Sequence, residues 1–119
     1  MNRFRPFAIV LWISWFVAVV VGSLLPGTVA SAIAPLSSDT VPHALAYYVL
    51  TVMPGFIFPS WSQRLQITIT IIAVSIVLEA VQLVVPGRNA EWVDVLWNLF
   101  GALLGWITTY MLTTRRSHP

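Results

Sequence analysis

The chain has 119 residues, of which 58% are hydrophobic and only 8% are charged. This composition lies outside the range of water-soluble domains and excludes a conventional soluble enzyme. The absence of cysteine excludes disulfides, thiolate metal sites and cysteine nucleophiles. The net charge of +2 comes from scattered arginines with no basic stripe between aromatic residues, so no nucleic-acid partner is expected.

Four apolar segments have about the 20 residues that a helix needs to cross a bilayer. They span residues 7–25, 41–59, 65–85 and 92–112. The connection 26–40 is the longest, and the other two are short enough to make consecutive helices antiparallel neighbours. The sequence therefore predicts an all-α membrane protein: a single domain over residues 1–119, with four transmembrane helices in an antiparallel bundle.

The first segment has a competing interpretation as a secretory signal peptide. Arg3 and Arg5 precede its apolar run, and Ala-Ser-Ala at 30–32 imitates a cleavage site. The apolar run is 19 residues long, whereas a typical signal core has roughly 7 to 15. Retention of the segment as a transmembrane helix is therefore favoured.

The arginines predict the orientation of the chain in the membrane. Five lie on one predicted side, before span one, between spans two and three, or after span four: Arg3, Arg5, Arg64, Arg115 and Arg116. Only Arg88 lies on the other side. Because positively charged loops stay in the cytoplasm, both termini are expected there.

Polar residues on three of the predicted spans fall at similar depths below the outer face. They form pairs at helical spacing: His43 and Tyr47, Glu79 and Gln82, Asp94 and Asn98. An ionisable side chain facing lipid costs at least a few kcal/mol, so it is normally turned toward a partner or a wet cavity. The convergence therefore predicts a shared polar pocket that opens outward.

The residue types in this pocket indicate roles. His43 and Glu79 are candidate proton-transfer groups, and Arg88 could hold a phosphate or carboxylate. Asp94 would orient His43 or Arg88. The candidate ligand-binding residues are Asp39, Tyr47, Gln82, Arg88 and Asn98. No nucleophile motif accompanies them, so whether the protein is an enzyme stays open. No cofactor is predicted, and no ligand-spacing motif supports a metal site.

Each of these residues also has a purely structural interpretation. Asp39 could be the N-cap of the second span, and His43 could be an interfacial histidine bonded to a loop carbonyl. Gln82 and Asn98 could be interhelical hydrogen-bonding groups. Arg88 could be a solvated loop cation. These alternatives are not separable from sequence.

Two glycines in the fourth span, Gly101 and Gly105, have the small-residue spacing that permits close helix packing. The partner helix could belong to the same bundle or to a second copy. A homo-oligomer through Gly101 and Gly105 is therefore one expectation.

Two sequence blocks resemble the VanZ-like family of small bacterial membrane proteins, named for a glycopeptide (teicoplanin) resistance protein. Residues 39–47, DTVPHALAY, are similar to the family's Asp-Lys-x-x-His-Phe-x-x-Tyr segment. Residues 79–105 carry Glu-x-x-Gln, Pro-Gly-Arg and Asp-x-x-x-Asn-x-x-Gly, similar to a second family signature. Thr40 and Ala44 depart from the family's usual lysine and phenylalanine.

The resemblance covers essentially the whole chain. It implies a multi-pass protein of the bacterial inner membrane, surrounded by lipid and linked to the cell envelope or to glycopeptide susceptibility. A lipid-linked envelope precursor or an amphiphilic ligand would then be the partner. The resemblance supplies no reaction.

Two other functions compete with an envelope-facing pocket. A non-catalytic membrane scaffold would use the polar residues only to lock the bundle. A small proton-coupled exporter is less favoured, because the essential glutamate of such transporters lies in the first helix. Span one here has no ionisable residue between Phe7 and Leu25.

Overall fold

The computed structural model describes residues 2–33 and 41–115. They form five α-helices: α1 Arg5–Leu24, α2 Gly27–Ile33, α3 Val41–Ile57, α4 Trp61–Gln82 and α5 Trp92–Arg115. The described residues contain no strand. The all-α prediction is confirmed.

Three of the helices, α1, α4 and α5, are long and apolar enough to cross a membrane. The remaining predicted span corresponds to α3, whose 17 residues extend over about 26 Å, a few ångströms short of a typical hydrocarbon core. The predicted bundle of four transmembrane helices and the placement of both termini therefore stay predictions.

The starts of α3 and α5 agree with the predicted ones, and the other ends of the four long helices differ by one to four residues. The connection 26–40 contains the short helix α2, and α4 begins at Trp61 and ends at Gln82, before the apolar residues 83–85. Ser60 starts α4 early because its side chain accepts a hydrogen bond from the Gln63 N–H. The periodicity of apolar residues alone does not reveal such a capping residue.

The turn between α4 and α5 packs against the start of α2. Gly87 has a φ of +73°, a conformation that favours glycine. The N–H of Gly27 donates to the carbonyl of Pro86 at 2.9 Å, and a Cβ on Gly27 would collide with the Gly87 carbonyl. These two backbones therefore approach each other because neither glycine carries a side chain.

Helices α1 and α3 are antiparallel. The indole N–H of Trp12 donates to the Leu50 carbonyl at 3.0 Å, and that of Trp15 donates to the Ala46 carbonyl at 3.1 Å. The bond from Trp12 supplies a donor that α3 itself lacks. Pro54, inside α3, has no N–H, so the carbonyl four residues earlier, at Leu50, loses its usual helical partner. Trp12 replaces that donor.

Helices α3 and α5 form a parallel seam along small residues. A Cβ on Gly101 would collide with the backbone of Ala44, and one on Gly105 would collide with Thr51. The Thr51 hydroxyl donates to the Ala102 carbonyl at 2.9 Å. Because the contacting positions advance together on both helices, α3 and α5 run in the same direction.

The core lies where α3, α4 and α5 meet. Its buried members are Tyr47, Leu50, Ile71 and Ala102. Large apolar side chains also cover the outside of the helices, and no residue of α1 is buried. An apolar exterior of this kind matches a lipid surrounding rather than water.

Two arginines cap the C-terminus of α3. Arg5 donates from Nε to the Ile57 carbonyl at 3.2 Å, and Arg64 donates from Nε to the Phe58 carbonyl at 2.7 Å. Cations are favourable beside the negative end of a helix dipole. We call this end of the protein the Arg64 end and the opposite end the Glu79 end.

Candidate functional site

Five polar residues from three helices meet at the Glu79 end, and we call them the polar cluster. They are His43 and Tyr47 of α3, Glu79 of α4, and Asp94 and Asn98 of α5. All except His43 are buried. Polar groups at this level of an otherwise apolar bundle need partners or a ligand, because their desolvation is costly.

Glu79 joins the end of α4 to the beginning of α5. Its Oε1 accepts a hydrogen bond from the Glu91 N–H at 2.9 Å. Its carboxyl also interacts with the carboxyl of Asp94. Glu79 is 6% exposed and Asp94 is 8% exposed, so these two acids face each other with little access to water.

Asp94 occupies the first turn of α5, where the positive end of the helix dipole favours an acidic side chain. This dipole, the Glu91 N–H and the electrostatic interaction of Glu79 with His43 favour the charged form of the acid pair. Among the described residues, no ion pair joins Glu79 or Asp94 to an arginine or histidine.

His43 and Asn98 connect α3 to α5 beside the acid pair. His43 Nδ1 lies 3.1 Å from Asn98 Oδ1. Since an amide oxygen only accepts, Nδ1 is the donor in this arrangement and Nε2 is the second nitrogen of the ring. His43 is half-buried, which makes it the member of the polar cluster with the most access to its surroundings.

Tyr47 lies one helical turn from His43 and is 3% exposed. It interacts electrostatically with Glu79, so the ring sits between the hydrophobic core and the acids. Of the residues predicted to converge, His43 is hydrogen-bonded to Asn98, and Glu79 interacts with Tyr47 and Asp94. That these residues form a functional site stays a prediction.

Arg88 and Gln82 point to α1 rather than into the polar cluster. Arg88 donates from Nε to the Leu25 carbonyl at 2.9 Å and from Nη2 to the Gly22 carbonyl. Gln82 donates from Nε2 to the Ser23 carbonyl at 2.9 Å. Both side chains thus bind the last carbonyls of α1, and Arg88 is not placed as a binding fork beside the acid pair.

A proline explains the position of Arg88. Residue 26 is proline and has no N–H, so the Gly22 carbonyl lacks the donor that would normally come four residues later. The guanidinium supplies that donor and places its charge at the negative end of α1. Counting back four residues from the proline would have identified the carbonyl that needs a partner.

The comparison with protein families agrees with the sequence motifs. A family model described as VanZ/LLP1 matches residues 4–113. The chain belongs to the VanZ/LLP1 family. The resemblance to VanZ-like proteins is thereby confirmed, while the curated proteins and the solved structures contain no match.

The two glycines of this VanZ/LLP1 chain face α3 of the same molecule. Gly101 and Gly105 are buried and allow close approach to Ala44, Tyr48 and Thr51. These two glycines therefore pack against α3 within one chain, and association of two copies through them stays a prediction. Thr51, which bonds across this seam, was not singled out from the sequence.

Asp39, the remaining predicted ligand-binding residue of the VanZ/LLP1 chain, lies outside the described residues. Within residues 2–33 and 41–115, no group of three or more histidine, aspartate or glutamate side chains is arranged to hold a metal ion. The polar cluster contains one imidazole, one phenol, one amide and two carboxyls, all of which can form hydrogen bonds.

Proposed function

We propose that this VanZ/LLP1 protein spans the bacterial inner membrane four times and binds a cell-envelope component at its polar cluster. In this arrangement both termini are cytoplasmic and the Glu79 end faces outward. Family membership and three long apolar helices support the membrane location. The arginines Arg3, Arg5 and Arg64 at the opposite end support the orientation.

Helix α3 is the fourth span of this proposal. It contacts α1, α4 and α5, so the other three helices surround it and lipid need not match its full length. Pro54 of this helix is buried and leaves the Leu50 carbonyl without a helical donor, which Trp12 supplies. Such replacement donors are typical of prolines tolerated in transmembrane helices.

The observation that carries the binding proposal is the contact between the carboxyls of Glu79 and Asp94. Two acids held together in an apolar bundle cost stability, because burial penalises their charged forms and like charges repel. A donor-rich group such as an amine or a cluster of hydroxyls would offset that cost. Arg88 is engaged with α1, which favours such a ligand over an anionic one.

Access to the acids would run past His43, since it is the half-buried member of the cluster. Its Nδ1 is bonded to Asn98, and Nε2 is the nitrogen left for a ligand. In the proposed site, Glu79 and Asp94 accept from the ligand while His43 donates to it or exchanges a proton with it.

A scaffold without a ligand is the second candidate. It is favoured by the internal bonds of Gln82, Arg88 and Asn98, which link separate segments of the chain. The two candidates differ in what Glu79 does. A scaffold needs it for assembly of the bundle, whereas a binding site needs it for the ligand.

Growth under envelope-targeting antibiotics, with membrane abundance measured in parallel, tests the binding proposal. Glu79→Gln keeps the shape and the acceptor for the Glu91 N–H but removes an acid, so an altered susceptibility at normal abundance is expected. Glu91→Gln is the matched control, because it makes the same chemical change on an exposed side chain. Wild-type susceptibility of Glu79→Gln would refute a ligand-binding role, and reduced abundance would favour the scaffold.

Cysteine labelling tests the orientation, since the chain has no cysteine of its own. Asn89 and Gln63 are both exposed and lie at opposite ends. A membrane-impermeant maleimide should label Asn89→Cys in spheroplasts and label Gln63→Cys only after permeabilisation. The reverse pattern would invert the proposed topology.

A further inference from the structure

The hydrogen bond between His43 of α3 and Asn98 of α5 determines how the imidazole can interact with a ligand. His43 Nδ1 lies 3.1 Å from Asn98 Oδ1. An amide oxygen has lone pairs and no proton, so the proton of this bond belongs to Nδ1. In a neutral imidazole one nitrogen carries the proton and the other accepts. Nε2 of the neutral ring is therefore a hydrogen-bond acceptor.

Close packing of the two helices holds Asn98 beside His43. Ala44 follows His43 in α3, and a Cβ on Gly101 of α5 would collide with the Ala44 backbone. Gly101 lies three residues after Asn98, and residues at this spacing share a face of a helix. The approach of the two backbones thus fixes the amide next to the imidazole.

The two partners of this bond differ in exposure. Asn98 is 3% exposed, so no water competes for its amide oxygen, whereas His43 is half-buried. Within the described part of the chain, Nε2 makes no hydrogen bond. The buried amide therefore sets the state of one ring nitrogen, and the other nitrogen is the one that a ligand can reach.

The neighbouring acids add acceptors of the same kind. Glu79 interacts electrostatically with both His43 and Asp94, so the imidazole and the acid pair act on the same region. Carboxylate oxygens accept hydrogen bonds, as Nε2 of the neutral ring does. A ligand group that touches His43 and the acids must therefore supply donors.

We propose that Asn98 is a positioning residue that keeps the proton of neutral His43 on Nδ1, so that a ligand donates to Nε2. The donor is a hydroxyl or an ammonium group, because a phosphate or carboxylate would bring acceptors to acceptors. This inference rests on the binding role proposed for the polar cluster. It depends, however, on the bond between His43 and Asn98, whereas the binding role depends on the acid pair.

NMR of the ring nitrogens, recorded on the full chain in micelles, reads the tautomer directly. Protonated and unprotonated imidazole nitrogens have well-separated chemical shifts, and their couplings to the ring C–H protons distinguish Nδ1 from Nε2. His118→Gln leaves His43 as the only histidine of the chain, and alkaline pH keeps the ring neutral. In this protein, Nδ1 should carry the proton and Nε2 should not.

Substitutions of Asn98 separate positioning from packing. Asn98→Asp keeps an oxygen acceptor at the same place, so the proton should stay on Nδ1. Asn98→Leu keeps a similar volume without an acceptor, so the form with the proton on Nε2 should become populated. Gln82→Leu is the matched control, because it removes a buried amide that bonds to the Ser23 carbonyl instead. It should leave the proton on Nδ1.

Short amphiphiles added to dodecylphosphocholine micelles test the class of ligand in the same spectra. Octyl glucoside supplies hydroxyl groups, octylammonium supplies an ammonium group, and octyl sulfate supplies acceptors alone. A saturable upfield shift of the Nε2 signal is expected with octyl glucoside or octylammonium, and whichever produces it identifies the donor. Octyl sulfate should leave the signal in place. In Asn98→Leu, where Nε2 carries the proton, the shift should be lost.

Two kinds of result would overturn the proposal. The first is a proton on Nε2 when Asn98 is present, or a proton that stays on Nδ1 in Asn98→Leu, because Asn98 would then not set the tautomer. The second is a shift of Nε2 with octyl sulfate, or with none of the three amphiphiles, because His43 would then not accept from a donor ligand. The antibiotic susceptibility of Glu79→Gln tests the proposed function separately, since that substitution leaves Asn98 and His43 unchanged.

Discussion

Gly101 fixes the distance between α3 and α5, and replacing it by alanine should separate them. A Cβ on Gly101 would lie 2.7 Å from the carbonyl carbon of Ala44 and even closer to the carbonyl oxygen. These are backbone atoms, so no rotamer change relieves the clash. Ordinary contact begins at 3.4 Å, and the helices must therefore move apart by at least roughly 0.7 Å.

The size of the effect follows from that displacement. A gap of about 0.5–1 Å forfeits a quarter to a half of the dispersion energy between the atoms concerned. Overpacking of this kind typically costs about 1–3 kcal/mol. We expect Gly101→Ala to lower the free energy of unfolding by that amount and to lengthen the 3.1 Å contact between His43 and Asn98.

Reversible unfolding in mixed detergent micelles measures this free energy, and Gly22→Ala provides the matched control. Gly22 is also helical, but a Cβ there would meet nothing within 4 Å. Alanine should therefore stabilise that position by about 0.5–1 kcal/mol through its better helix propensity. If Gly101→Ala were as stable as the wild type, the close approach of α3 and α5 at Gly101 would not contribute to the free energy of unfolding.

Two further predictions concern carbonyls that lose their helical donor to a proline. Trp12→Phe should destabilise the protein by about 1–3 kcal/mol because the Leu50 carbonyl is left unpaired. In a Pro54→Ala background residue 54 regains its N–H, so the same micelle assay should show a much smaller loss on Trp12→Phe. An equal loss in both backgrounds would contradict the argument. Arg88→Gln should weaken the capping of α1, which faster hydrogen exchange at the last turn of that helix would report, and unchanged exchange there would remove the capping role.

The sequence was sufficient to predict the long helices and the depth at which polar residues meet. Apolar runs marked α1, α4 and α5 to within a few residues, since burial in lipid imposes length and hydropathy directly. Helical spacing placed Glu79 and Asp94 toward the same end of the bundle, where the two carboxyls interact. Both features depend only on position along a helix.

Contacts between helices were not predictable in the same way. Nothing in the sequence indicates that Gly101 faces α3 rather than a second copy, because a small-residue stripe is compatible with either partner. Nor does it indicate that Arg88 would turn toward α1. The short helix α2 was missed because its seven residues carry no apolar period and depend on backbone contact with the turn after α4.

The prolines nevertheless carry information that apolar patterns do not. Pro26 and Pro54 each remove an N–H, and the carbonyls four residues earlier accept from Arg88 and Trp12 respectively. In lipid no water can replace a missing donor, so each such proline requires a donor from another part of the chain. The sequence thus predicts that a donor is needed at a known depth, although only the fold identifies which residue supplies it.

This requirement also shapes the candidate site. Once Arg88 is committed to the end of α1, the basic residue closest in sequence to Glu79 no longer serves as its counter-ion. The groups that favour charge on the acid pair are then the Glu91 N–H, His43 and the α5 dipole. The proline that ends α1 therefore determines indirectly which groups are left to interact with Glu79 and Asp94.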